Sequence, residues 1–283
     1  MTEFPLQHSP HTLRSLDRDV LLALLPALIL QIKISGVQVL AMLVSGYLLV
    51  MVLATAGFLA MRRRQVPPWQ DTGYLVLVAM FTLLLPGSDL LPALLALSLA
   101  SLLTTFCLGG IRASSFHPAM LAVLLLWLLQ PTAVAAPLQN IQEEKLRDGL
   151  LCLAALVLLL RGSISWRIPL GSAMFLLLLF VLRGSTGGDL AERLLAFTLQ
   201  GHLILLIFFI APHTGSSGSN SVGAWCYGAL LAVFYYLSLN QPAVIAASLS
   251  VLLANFCAPL IDRLESGFVA MPPNTPLYDR NRE

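Results

Sequence analysis

Apolar runs broken by short polar or Gly/Pro punctuation divide the chain into ten candidate spans, at residues 20–35, 38–61, 73–86, 90–108, 118–136, 149–161, 168–183, 194–211, 222–239 and 243–261. A spanning helix needs about 20 apolar residues, and several of these runs fall short of that. Period-3.6 amphipathicity is weak in most of them. That is the pattern of helices with lipid on one side and helix neighbours on the other. The pattern predicts an all-α polytopic membrane protein.

The runs also fall into two similar sets of five. Asp19-Val-Leu-Leu-Ala-Leu-Leu opens the first and Asp148-Gly-Leu-Leu-Cys-Leu-Ala the second. An odd number of spans per set gives the sets opposite orientations, so two inverted five-helix repeats are expected, the plan of many transport proteins. The corresponding organisation is a tail at 1–18, a first repeat at 19–137, a periplasmic loop at 138–148, a second repeat at 149–262 and a tail at 263–283. Each repeat contains one polar, glycine-rich break: Gly109-Gly110-Ile-Arg-Ala-Ser-Ser-Phe-His-Pro118 in the first and Pro212-His-Thr-Gly-Ser-Ser-Gly-Ser-Asn-Ser221 in the second. Broken helices there would present free backbone N–H and C=O groups to a ligand or ion, whereas flexible surface loops would carry the same composition.

Composition fixes the solvent. Charged residues are 11% of 283 against roughly 25% in soluble domains, and the hydrophobic share is 58%. Mean hydropathy is +0.84. About ten spans use some 200 positions, which leaves no room for a soluble catalytic domain. A net charge of +2, with its basic residues scattered, gives no footprint for nucleic acid. The distribution of those residues sets a topology, because short loops rich in Lys and Arg stay cytoplasmic. With the N-terminus inside, Arg14, Arg18, Arg62, Arg63, Arg64, Arg112, Arg161, Arg167, Arg263, Arg280 and Arg282 are cytoplasmic. Lys33, Lys145, Arg147, Arg183 and Arg193 fall outside. Both termini are therefore expected in the cytoplasm. Residues 1–19 are polar and no A-x-A-like site follows, so they read as a tail and not a signal peptide.

Few side chains carry candidate chemistry. Cys107, Cys152, Cys226 and Cys257 lie in or beside apolar runs without a C-x-x-C pair, as packing thiols do, while an iron–sulfur site would need two of them to converge. His117 and His213 lie in the two breaks and can relay protons, hold a cofactor edge or simply bond loop backbone. His202, inside a span, is expected to turn inward against a helix neighbour. Asp71 reads as a helix cap, and Asn255 must find a buried partner on another helix or on a ligand. Trp69, Trp127, Trp166, Trp225, Tyr227 and Tyr278 sit mostly near span ends, as interfacial anchors do. Asp262 lies at the end of the last span. No phosphate loop, Ser/His/Asp arrangement or metal-ligand cluster is present in the sequence.

Five ordered segments give a more specific reading: Ser9-Pro-His-Thr12 with Asp19 to Pro26; Asp71-Thr-Gly opening a span that ends at Pro86; Gly109-Gly110-Ile with Phe116-His-Pro-Ala-Met120; Ile164-Ser-Trp-Arg-Ile-Pro-Leu170; and Phe208-Phe-Ile, Gly228-Ala-Leu and Leu252-Leu-Ala-Asn-Phe-Cys-Ala-Pro-Leu-Ile-Asp262. Together they resemble the D subunit of the Rnf electron-transport complex, which is related to the B subunit of sodium-pumping NADH:quinone reductase. The resemblance implies a membrane subunit of an oxidoreductase complex that couples electron flow between ferredoxin and NAD to ion movement across the bacterial inner membrane. The implied partners are the Rnf A, B, C, E and G subunits, the lipid bilayer and a translocated Na+ or H+. A stand-alone small-solute channel or carrier on the same scaffold, or a non-redox structural subunit, are the other expectations.

The departures from that family are informative. Its members carry a long stretch between the fifth and sixth spans with a Ser-x-Ala-Thr-type motif whose Thr is esterified to FMN. Here the stretch is Pro131 to Arg147, with Thr132 its one hydroxyl, so no covalent FMN is expected. Ser114 and His117 replace two Asn of the Gly-Gly segment, and His213 stands at an Asp position of the family. A non-covalent FMN or riboflavin is expected between the two breaks. Gly109, Gly110 and the Gly215 to Gly218 stretch would give close backbone approach, Phe116 would cover a ring face, and Ser114, His117, His213 and Asn220 would meet its polar edge.

Overall fold

The computed structural model describes residues 13–61, 67–108, 114, 116–134, 141–182, 201–212 and 221–268, and among them it is helical without a strand. The first repeat holds α1 (Leu13–Ser35), α2 (Val37–Met61), α3 (Gly73–Leu84), α4 (Leu90–Leu102, continued by a π-helical segment Leu103–Cys107) and α5 (Pro118–Leu129). A single turn, α6 (Pro131–Val134), follows. The second holds α7 (Ile141–Leu160), α8 (Arg167–Leu182), α9 (Gly201–Ile204, continued by a π-helical segment Leu205–Ile210), α10 (Ser221–Leu237) and α11 (Ala243–Phe268).

Local chemistry sets the ends of these helices. The opening helix of each repeat stops at a glycine with positive φ, Gly36 at 63° and Gly162 at 67°. After α1 the Gly36 N–H returns to the Ile32 carbonyl at 2.8 Å. After α7 the Gly162 N–H bonds Leu159 O and the Ser163 N–H bonds Leu158 O, both at 3.0 Å, which is a Schellman cap that only glycine enters without strain. Pro131 has no N–H to give and its ring clashes with the preceding turn. It therefore divides the expected run 118–136 into α5 and α6.

Two helices begin earlier than the apolar pattern suggests. α1 starts at Leu13, not near 20, because the side chains of Asp17 and Asp19 are buried against other helices. α7 starts at Ile141, not 149, with Glu143 and Glu144 in its first turn, where the helix dipole favours carboxylates. The last helix likewise runs beyond 261 to Phe268.

The packing repeats from one half to the other. In the first unit α2 packs on α4, α4 on α5, α3 on α5 and α1 on α3; in the second α8 packs on α10, α10 on α11, α9 on α11 and α7 on α9. The pairs that join the units, α1 with α7 and α5 with α11, are equivalent helices, as a two-fold relation between the units requires. Asp19 near the start of α1 meets Arg161 just past the end of α7, so these two helices run antiparallel and the units have opposite senses. The third helices are central: Val76 to Leu85 on one side and Leu203 to Ile207 on the other are all buried. α3, at 12 residues, is about 18 Å long against a hydrocarbon core of about 30 Å, so it is a half-span. Val37–Ala60, Leu90–Cys107 and Ala243–Ile261 are long and apolar enough to cross by themselves.

Both π-helical segments stand immediately before the glycine-rich breaks read from the sequence. π turns concentrate where a helix is opened for function. Gly57 on α2 makes room for the first of them, since a Cβ there would strike the Thr105 methyl.

Candidate functional site

A guanidinium lies in the interior of this fold. Arg147 is in helical phase with Leu151, Ala154, Ala155 and Leu158, the stripe that α7 buries against its neighbours, and it is 1% exposed. Its Nε and Nη2 donate to Asp148 Oδ1 at 3.1 and 2.9 Å, and Nη2 stands 3.6 Å from Glu144 Oε1. Nη1 is buried and has no hydrogen-bond partner among the described residues. Removing such a charge from water costs several kcal/mol, which only close pairing offsets.

The second unit closes over this pair through a glycine. A Cβ on Gly201 would collide with Asp148 Oδ1 and stand 3.2 Å from Arg147 Nη2, so α9 reaches the ion pair only because position 201 has no side chain. His202 follows. Its half-buried imidazole lies close to the backbone carbonyl of Leu84 at the end of α3 and to Arg147. One cluster thus gathers α7, α9 and the carbonyl end of the half-span α3 from the other unit. The buried guanidinium, the Asp148 carboxylate and the imidazole lie together there, with Glu144 at the more exposed edge. Intramembrane charges of this kind mark ion pathways.

A second polar group occupies the opposite end of the α1–α7 pair. Asp19 accepts from Ser163 Oγ at 2.8 Å and pairs with Arg161 Nη2 at 3.1 Å. Asp17, fully buried, accepts from Thr72 Oγ1 at 3.2 Å, while Asp71 Oδ1 takes the Gly73 N–H at 3.0 Å and opens α3, so Asp71 acts as the cap its position suggests. The two aspartates that open the repeats in sequence, Asp19 and Asp148, are therefore each ion-paired to an arginine, at opposite ends of one antiparallel helix pair.

The residues expected around a flavin are only partly within reach. Gly109, Gly110, His213 and Asn220 lie outside the described residues. Ser114 Oγ donates to Phe116 O at 2.7 Å and accepts from Phe116 N at 3.1 Å, closing a local turn. Phe116 is half-buried and packs on the core, and His117 is buried at the start of α5 ahead of Pro118. This turn fits a planar ligand in part: it offers a ring face, but the Ser114 hydroxyl is already engaged. Thr132 is exposed on α6. His202 turns inward as expected, and Asn255 is fully buried and accepts from the Tyr227 hydroxyl across α10 and α11. The four cysteines are free. Asp262 is on α11, and its side chain is outside the described set.

Two five-helix units packed in opposite senses, the first with the half-span α3 and the second with the buried Arg147–Asp148 pair, define a polytopic membrane protein of the inverted-repeat kind. The chain belongs to the NQR2, RnfD, RnfE family, whose model matches residues 1–150 and 139–268. Among curated proteins it is similar to the D subunit of the ion-translocating oxidoreductase complex of Methanosarcina acetivorans, 31% identical over 172 residues, 54% of this chain and 56% of the relative. It is also similar to the D subunits of the same name from Pectobacterium atrosepticum, 29% identical over 48% of this chain and 38% of the relative, and Aeromonas salmonicida, 35% identical over 40% and 32%. The matches span between about a third and just over half the length of these relatives.

Proposed function

We propose that the chain is a membrane subunit of an Rnf-type complex that couples electron transfer between ferredoxin and NAD to movement of Na+ or H+ across the inner membrane, with both termini cytoplasmic and with partners of the A, B, C, E and G kinds. The observation that carries this reading is the family match across both five-helix units. The cluster of the buried Arg147 with Asp148, Glu144 and His202 supports ion movement as this chain's share of the work. Arg147 holds the Asp148 carboxylate in the interior, Gly201 gives α9 its close approach, and an arriving cation competes with the guanidinium for that carboxylate.

Within this reading FMN or riboflavin binds without a covalent link, with Phe116 at a ring face and His117, His213 and Asn220 along its polar edge beside Gly109 and Gly110. Ser114 is reassigned to holding the turn. A bound flavin would supply the electron carriage that side chains lack.

The test uses inverted membrane vesicles containing the whole complex, with ferredoxin-driven NAD reduction and ion uptake measured together. Asp148→Asn is expected to lower ions moved per electron severalfold while the complex still assembles. Wild-type uptake in that variant would remove the cluster from the pathway. Failure of a tag on this chain to co-purify other subunits would instead favour a stand-alone carrier. A non-redox structural role within the complex is the second reading, favoured by the short α5–α7 connection with its one hydroxyl. Intact mass of the chain and flavin released per chain decide it: an unmodified mass with no flavin supports the structural role, and an added flavin phosphate on Thr132 overturns the non-covalent assignment.

A further inference from the structure

Between α1 and α7, on the face turned to lipid, runs a groove of about 180 Å³. Its floor is made by Ala23 and Ala154, whose methyl groups leave a trough between the more prominent Leu22 and Leu153, 60% and 59% exposed. Pro26 and Leu150 end it within the bilayer, and the Asp19–Arg161 pair ends it at the other side. From Arg161 back to Leu150 is eleven helical residues, or about 16 Å, close to half of a hydrocarbon core of about 30 Å. The groove is therefore one leaflet deep.

We propose that this groove seats an anionic phospholipid, with the phosphate on Arg161 and one acyl chain along the trough. Asp19 is the one carboxylate lining the groove, and both of its oxygens are used, Oδ1 by Arg161 and Oδ2 by Ser163. Those bonds hold the guanidinium at the mouth. Arg161 is 56% exposed, so its remaining donors face the headgroup layer. Arg18 is exposed at the neighbouring position of α1. Arg167 lies 5.8 Å from the Trp166 ring, itself 54% exposed, which anchors the following loop at the same interface. Basic side chains above a gap between helices are the chemistry that holds anionic headgroups. An apolar cavity of about 150 Å³ holds a benzene molecule, so this groove admits a stretch of acyl chain of similar bulk. A partner's transmembrane helix would need an apolar track through both leaflets, and the groove stops at Pro26.

The experiment extracts the intact complex in mild detergent and counts phospholipid on this chain by native mass spectrometry and lipid extraction after extensive washing. Wild type is expected to retain about one anionic phospholipid that free phosphate does not displace. Arg161→Gln and, independently, the groove-filling Val157→Phe are expected to retain at least threefold less, while Arg161→Lys keeps most of it. Thermal melting of each variant confirms that it is folded. Equal retention in both loss variants, or only zwitterionic lipid on wild type, overturns the proposal. So does a photo-crosslinker at position 157 that captures another subunit in place of lipid.

Discussion

Arg147→Met separates a buried ion pair from its surroundings with little change in volume. Arg147 is 1% exposed and Asp148 14%, so the variant leaves a carboxylate mostly out of water with its two donors gone. Removing one partner of such a pair costs about 3–5 kcal/mol. The partial access of Asp148, and of Glu144 at 36%, places the expected loss near the lower end, about 3 kcal/mol. In a chain of this size that lowers the melting temperature by roughly 6–10 °C. The double variant Arg147→Met/Asp148→Leu removes both charges and should recover to within about 1 kcal/mol of wild type, because an apolar replacement of a whole pair is close to neutral. The assay is thermal unfolding in detergent followed by far-ultraviolet circular dichroism, completed as a double-mutant cycle. A single variant that melts within about 2 °C of wild type, or a double variant no better than the single, would refute the claim that this pair is desolvated and mutually dependent.

Three further outcomes follow from the packing. Gly228→Ala places a Cβ 2.7 Å from Ile168 O and 3.0 Å from Ser172 N, both backbone atoms that cannot step aside, so the α8–α10 crossing should lose about 1–3 kcal/mol in the same melting assay; wild-type stability would show that the crossing is looser than described. Tyr227→Phe removes the hydroxyl that Asn255 accepts and should cost about 0.6 kcal/mol, up to about 1.7, in an SDS-unfolding titration, with a larger loss pointing to a wider network. Topology reporters fused after Arg64 and after Asn140 should report opposite sides of the membrane, the first cytoplasmic, and a shared side would break the inverted arrangement.

The spans were legible because lipid as solvent leaves a coarse signal: about ten apolar runs, several of them short, stand out with little amphipathic periodicity to sharpen them. The charged positions inside helices were not. Arg147 reads as part of an outside loop when the apolar run is taken to start at Gly149, although its spacing of four, seven and eight residues from Leu151, Ala154 and Ala155 already puts it on the buried stripe. Asp17 was hidden in the same way, three residues before Val20 and seven before Leu24 on the inward face of α1. In both cases a polar residue was assigned to water because of its type, while the helix phase assigned it to the interior. Asp71 and His202 were readable, since a carboxylate before a glycine-led helix and an imidazole within a span each have few ways to satisfy their bonds. The local bonds of Ser114 were not legible. A serine two residues before Phe116 satisfies its hydroxyl on that residue's own backbone, and sequence alone does not show that competition.

The contact between Asp19 and Ser163 joins residues 144 positions apart, and it has a meaning for how the protein is made. At roughly 5–20 residues per second, α1 leaves the ribosome about 7–30 seconds before the end of α7 exists to receive the Asp19 carboxylate. Throughout that interval a helix carrying Asp19 near its start has no second repeat to pair it. It must wait at the membrane surface, or be sheltered by the insertion machinery, until α7 arrives. The first helix to emerge is thus among the last to be secured, and sequence changes in α7 that delay its insertion should expose α1 to quality-control proteolysis before they disturb the finished fold.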